Sequence, residues 1–580
     1  MDQKRLLTAI VISIAILLGF RLLAPSPPPK VEATQSTPAS QTARPTGDPA
    51  APGTQPTAAV PPPAEQRDVP RLPIAADKVA GTINLLGARL DDLVLRKYHE
   101  EVEPSSPLVR LLEPQADPQP YYVQFGWTGD GTVKVPGDAT VWTASVPKLT
   151  EKTPVVLSWD NGAGQVFSIK LSVDEDYMFT AEQNVQNSGT APVAVYPWSR
   201  IRRDYKPVTA GYYILHEGML GVLGGVLQEQ TYDKANTETA KKTDGVSLAM
   251  SSTGGWAGIT DKYWLTALIP DQAANVTGTF RHVTENGSDR YQVDFAPVQA
   301  TTVAPGTTAA MTTHLFAGAK VVSLLDRYEG MYDLPHFDKA VDFGWFYWLT
   351  KPIFYALDWI YGIVGNFGIA IMIFTVFVKL LFFPLANKSY RSMSKMKDLS
   401  PRIAEIRERN KDDPQKTQSE IMGVYKTSGV NPVSGCLPMV LQIPVFFSLY
   451  KVIFTTIEMR HAPFFGWIHD LSAVDPTNVF NLFGLIPVDP SQYVALLHLG
   501  IWPLIMGVTM FFQQKLNPPP PDPVQARLFQ FMPIIFTFML ARFPAGLVIY
   551  WSWNNFLTIV QQWTIMRRTR RLATTTPARV

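Results

Sequence analysis

Apolar runs and alternating segments divide the chain into parts of different character. Residues 353–385, 436–457, 495–512, 528–543 and 545–566 are long, mainly apolar runs with few charges. The last four lie near the roughly 17–25 residues that a helix needs to cross about 30 Å of hydrocarbon, and the first is longer. Backbone N–H and C=O groups find no water in that layer, so each run predicts a helix with its hydrogen bonds closed internally. A sixth run, Leu6 to Leu23, follows Lys4 and Arg5. It reads as a signal peptide or an uncleaved anchor. Its length, and the prolines of "LAPSPPP" where a small-residue cleavage site would stand, favour a transmembrane anchor over residues 1–24.

Between the first two runs the pattern changes twice. Twelve prolines fall between Pro25 and Pro63, and no aromatic occurs between Phe20 and Tyr98. Such a composition buries no core, so residues 25–74 predict a disordered tether. From 75 to 336 the alternation is that of strands. In "QVFSIKLSV" Phe167, Ile169, Leu171 and Val173 share one face, with Ser168, Lys170 and Ser172 on the other. Asn286-Gly287 separates two alternating runs, the signature of a tight hairpin. Residues 75–336 therefore predict an all-β sandwich. Trp345, Phe346, Tyr347 and Trp348 follow, the side chains that favour the headgroup boundary. They predict a surface helix over 340–351, leading into the second span; packing on the sandwich is the competing reading.

Loop charge sets the orientation. Residues 387–430 carry ten Lys and Arg, whereas 458–492 carry only Arg460. Basic residues also precede the first run and follow the last. With the positive-inside bias, one threading satisfies all of these: six spans, both termini cytoplasmic, and the sandwich outside. Within 387–430, Pro401, Asp413-Pro414 and Gly429 mark the starts and stop of two helices, a basic helical hairpin. It reads equally as a solvated surface or as a docking face for an anionic partner. The fold class is thus a membrane protein: an α-helical bundle of six transmembrane helices, plus an all-β sandwich domain outside the membrane.

Composition narrows the function. The chain has one cysteine, Cys436, so no internal disulfide is available, and its eight histidines show no metal-ligand spacing. There is no phosphate-binding glycine loop and no nucleophile motif. These features predict neither an enzyme nor a cofactor, and nothing points to DNA. What stands out instead is polarity inside the spans. Lys379 lies nine residues before Lys388, about 13 Å inside the cytoplasmic boundary at ~1.5 Å per residue. A charge at mid-bilayer costs ~2.5–3.5 kcal/mol on insertion scales, so it faces a polar cavity or snorkels outward. Thr375 lies one turn from it. Trp551, Asn555, Thr558 and Gln562 form one stripe at i, i+4, i+7 and i+11, and Gln442 sits between Pro438 and Pro444. Interhelical hydrogen bonding is the alternative, but a lysine, several amides and a Trp together favour a wet groove. Lys451, near the outer end of its span, is expected to snorkel.

The stretches "KSYRSMSKMKDLSPRI", "YKTSGVNPVSGCLPMVLQIPVFFSLYKV", "APFFGWIHDLSAVDP", "GVTMFFQQKLNPPPPDP" and "FPAGLVIYWSWNNFLTIVQQ" resemble the YidC/Oxa/Alb membrane-insertase family. The likeness is to its Gram-negative form, with a large periplasmic domain. It covers about residues 340–566, and the sandwich and tether match in placement and type. The resemblance implies a bacterial inner-membrane insertase and chaperone that acts on nascent membrane proteins, alone or with the Sec translocon. It implies an insertase domain over 337–580, with five transmembrane helices, the hairpin 387–430 and a basic tail. It places the groove's base at Lys379, where many Gram-negative members have Arg, and the client-contacting aromatic at Trp551. Other groove positions fall on Thr375, Gln442 and Asn555, with Thr558 in the same stripe. Ribosome contact through the cytoplasmic loops and the short tail is left open. A small-solute transporter and a membrane-anchored periplasmic sugar-binding protein are the alternative readings.

Overall fold

The computed structural model describes residues 70–575 except 210–214, 241, 286, 412, 431–436, 487–489, 494–496 and 518–522. The anchor over 1–24, most of the tether, Asn286 and Cys436 lie outside the described residues. Two antiparallel sheets account for Arg71 to Ala319. One has ten strands, running from Arg71–Ala75 through Tyr121–Gly129 and Val193–Arg203 to Val246–Thr253. The other has nine, with Thr307–Ala319 and Gln165–Val173 among them. The alternation read at 165–173 holds: Phe167, Ile169, Leu171 and Val173 are buried. The hairpin also holds, with Glu285 opposite Ser288 and Gly287 at φ 80°. Apolar faces of the two sheets meet in one core, where Trp127 packs edge-on against Phe167 at 5.3 Å. The short helix α1 (Tyr232–Thr239) covers one end, and α2 (Val322–Met331) leaves the last strand.

The helical part follows as α3 (Tyr347–Val364), α4 (Phe367–Leu381), α5 (Phe383–Asp398), α6 (Ser400–Arg409), α7 (Pro414–Thr427), α8 (Leu437–Thr455), α9 (Ile501–Leu516), α10 (Pro523–Leu540) and α11 (Ala545–Thr575). Two expectations change. The surface helix over 340–351 is not continuous: a single 3-10 turn ends at Ala340, and α3 begins only at Tyr347. The run 353–385 is not one helix either. Gly365, in the left-handed region at φ 68°, closes α3 with its N–H on Tyr361 O at 2.7 Å. Asn366 then opens α4 by accepting from Ile369 N at 3.0 Å. Among the described residues no single helix is long and apolar enough to cross a membrane; α4 and α5, bent by 68° at their junction, reach that length and composition only together. The hairpin is as expected: Asp413 caps α7 through Gln415 N and Lys416 N, and Ile403, Ile406, Ile421 and Val424 join α6 to α7.

The sandwich is fastened to the loops beyond α8. Glu458 accepts from Val322 N at 3.0 Å, Tyr263 OH donates to Ser472 Oγ at 3.1 Å, and Arg460 reaches the carbonyls of His99 and Glu100 at 2.6 and 2.8 Å. Lys451 does not snorkel. It pairs with Asp342 at 2.8 Å, because the chain leaving α2 brings that carboxylate over the end of α8.

Candidate functional site

Helix α11 organises the site. Its residues Asn554, Asn555, Thr558 and Gln562 are all buried, although they are polar. Burying an amide without a partner costs on the order of 1–3 kcal/mol in proteins, so partners or water are required. Thr558 donates back to Asn554 O at 2.7 Å within the helix. Asn555 Nδ2 reaches Thr509 Oγ1 of α9 at 3.4 Å, and Gln562 Nε2 reaches Asn517 Oδ1 at 3.1 Å. Gln562 Oε1 is buried with no partner among the described residues. Interhelical bonding therefore accounts for part of the stripe, and one acceptor is left over.

These groups line a cavity of about 410 Å³ between α5, α8, α9, α10 and α11. Gln442 of α8 is in its wall together with Trp551, Asn555 and Thr558 of the α11 stripe. Trp551 stands between Phe446, at 4.7 Å, and Phe536, at 5.8 Å. Met393, Met510 and Met532 supply flexible apolar wall on other sides. Gly507 lets α9 approach α10 closely, since a Cβ there would lie 2.1 Å from Thr537 Oγ1.

Lys379 and Thr375 are not in that wall. They line a neighbouring space of about 50 Å³ with Gln442, Tyr550 and Asn554. Gln442, Tyr390, Tyr550 and Asn554 belong to both walls, so a few side chains separate the two. The link is direct at one point: Lys379 Nζ donates to Thr558 Oγ1 at 2.8 Å. The ammonium thus turns inward to α11, across the bundle. Thr375 instead donates to Ile371 O of its own helix at 2.6 Å. The sequence reading missed Asn554, Tyr550, Gln513, Gln514 and Asn517. Asn554 was legible as half of the "NN" pair, but a single stripe along α11 takes only one of the two.

Elsewhere, Asp326, Glu329 and Asp338 bring carboxylate oxygens within 4.8 Å of one another. Lys351 pairs with Asp326 at 2.9 Å and also with Asp338, so an ammonium already compensates this cluster.

The larger cavity thus carries amides and hydroxyls among mainly apolar side chains, and the Lys379 ammonium lies in the adjoining smaller space. Comparison with known proteins identifies the family. Residues 71–356 match the family model described as YidC periplasmic domain, and residues 359–572 match 60Kd inner membrane protein. The membrane protein insertase YidC of Granulibacter bethesdensis is 60% identical over 98% of this chain and 98% of its own length. Its namesake from Acidiphilium cryptum is 55% identical over 86% of this chain and 85% of its own length. A solved structure titled as an active YidC insertase, at 17% identity and TM-score 0.35, aligns with 85% of this chain and 94% of its own. The chain belongs to the YidC family of membrane protein insertases, which are not enzymes. The transporter and sugar-binding alternatives find no support among these relatives.

Proposed function

We propose that this chain inserts newly made inner-membrane proteins, and helps them fold, through a hydrophilic groove built on Lys379, Thr375, Gln442, Trp551, Asn555 and Thr558. In this reading residues 1–24 anchor the chain, 25–74 tether it, and 75–336 form the periplasmic domain. Residues 337–580 are the insertase domain. The helices α4–α5, α8, α9, α10 and α11 add five spans to the anchor, and both termini are cytoplasmic. The observation that carries the reading is the hydrogen bond from Lys379 Nζ at 2.8 Å to Oγ1 of Thr558, a residue that also lines the larger cavity.

The barrier for a client is its short polar tail, whose backbone and charges lose water in hydrocarbon. A wet cavity in the cytoplasmic half of the bundle shortens that dry path. Lys379 attracts acidic groups of the tail, and the membrane potential favours outward movement of one negative charge by ~2.3 kcal/mol per 100 mV. Meanwhile the client's apolar helix lies against Ile443, Phe446, Phe529 and Phe536 and then leaves to lipid. No bond forms or breaks, so these residues act as contacts. The Sec translocon, and the ribosome through α6, α7 and the basic tail, are proposed partners.

A photocrosslinker at Trp551 in a ribosome-stalled insertion reaction tests this. The expected product joins the nascent chain. Crosslinks confined to α8 and α10 of the same protein would instead assign Trp551 to helix packing.

A further inference from the structure

A second cleft lies on the other side of α11. Phe382 and Pro384 sit where α4 and α5 diverge by 68°, and proline neither donates an N–H nor tolerates the preceding helical turn. Because α5 swings away there, one face of α11 is left uncovered, and a cleft of about 330 Å³ opens between α4, α5 and α11. It shares no lining residue with the 410 Å³ cavity. Helix α11 turns Trp551, Asn555 and Thr558 to the cavity, and Leu557, Val560 and Thr564 to the cleft. Helix α5 divides in the same way: Tyr390 and Met393 face the cavity, while Phe383, Asn387 and Arg391 face the cleft at four-residue spacing.

The cleft's chemistry is graded. Val376, Leu380, Leu557 and Val560 line its inner part, Asn387 and Arg391 lie further along α5, and Lys379 reaches it from α4. No carboxylate lines it. Arg391 is exposed and has no acidic partner among the described residues, whereas Lys379 is already bonded to Thr558. An apolar trough ending in an unneutralised guanidinium at the cytoplasmic side has the shape and charge of a phospholipid site. Guanidinium binds phosphate through two parallel N–H donors.

We propose that this cleft holds one anionic phospholipid of the cytoplasmic leaflet, with its phosphate on Arg391 and its acyl chains along Val376, Leu380, Leu557 and Val560. The proposal rests on the membrane orientation given above, not on client passage. The two positive charges without a carboxylate favour an anionic lipid over a zwitterionic one.

Native mass spectrometry tests it, using the full-length protein with equal amounts of phosphatidylglycerol and phosphatidylethanolamine. The wild type is expected to retain one phosphatidylglycerol. Arg391→Gln should weaken that retention about tenfold, equivalent to about 1.4 kcal/mol, with Arg391→Lys in between. Lys416→Gln, on exposed α7, is the control that leaves it unchanged. Equal retention by wild type and Arg391→Gln, or equal retention of both lipids, would overturn the proposal. So would displacement of the lipid by millimolar inorganic phosphate, which marks a free-anion site, or efficient disulfide dimers of Leu557→Cys, which mark a second copy as the occupant. Trp551→Ala keeps the lipid in this account while losing client contact, so failure of the groove reading registers separately.

Discussion

Replacing Glu458 by Gln probes the junction between the sandwich and the helices. One carboxylate oxygen of Glu458 accepts from Val322 N, the first N–H of α2, at 3.0 Å. The other is buried without a partner among the described residues, although part of the side chain reaches the surface. Burial pushes this carboxyl from its ordinary 4.5 up to about 7, and the negative charge of Asp358 adds to the effect. Below pH 4.5 the folded and unfolded states both hold the proton. Between 4.5 and about 7 the folded state keeps a proton that the unfolded state has lost, so stability falls as pH rises. Above 7 the whole penalty applies. At about 1.4 kcal/mol for each tenfold change in proton affinity, it amounts to about 3 kcal/mol. Glu458→Gln keeps the acceptor for Val322 and removes the titration. The variant should match wild type near pH 4 and exceed it by about 3 kcal/mol near pH 8, which is several degrees in melting temperature. Hydrogen exchange at the Val322 amide, measured against pH, localises the effect. Parallel stability curves for both proteins from pH 4 to 8 would refute the reasoning.

Three further outcomes follow from packing and charge. Asp294 is fully buried between Arg200, at 2.6 Å, and Arg281, at 3.4 Å; Asp294→Ala should destabilise the sandwich by ~3–5 kcal/mol in denaturant titrations, because two guanidiniums lose their partner. Gly507→Val drives a side chain into Thr537 across the α9–α10 contact and should cost ~1–3 kcal/mol in thermal unfolding of the purified protein. His216 is half-buried, and the loss of water around its ring lowers its pKa to about 4, so it is neutral when folded and protonates only on unfolding; stability should fall as pH drops from about 6.5 towards 4, and His216→Gln should flatten that limb of the melting curve.

Much of this architecture was legible because it follows a period. Phe167 to Val173 alternate, and the strand they form buries the expected face. Trp551, Asn555, Thr558 and Gln562 repeat at helical spacing and reach one cavity wall. Asp413-Pro414 and Gly429 place the hairpin's ends by local capping chemistry. What escaped the reading depends on contacts between distant segments. The Lys451–Asp342 pair forms only because the sandwich docks on α8, and no local pattern carries it. The break at Gly365-Asn366 was present as a cap signature, but it is masked by apolar residues on both sides. The separation of Lys379 from the larger cavity depends on where Tyr550 and Asn554 project, which spacing alone does not fix.

The groove account stands or falls on the sign of one charge. Vesicles carrying either wild type or Lys379→Glu are given two clients that share one apolar helix and differ only in an acidic or a neutral tail. The account predicts that Lys379→Glu inserts the acidic-tailed client several-fold less well, inserts the neutral one nearly normally, and that Lys379→Arg handles both. Equal insertion of the two clients by Lys379→Glu would contradict it.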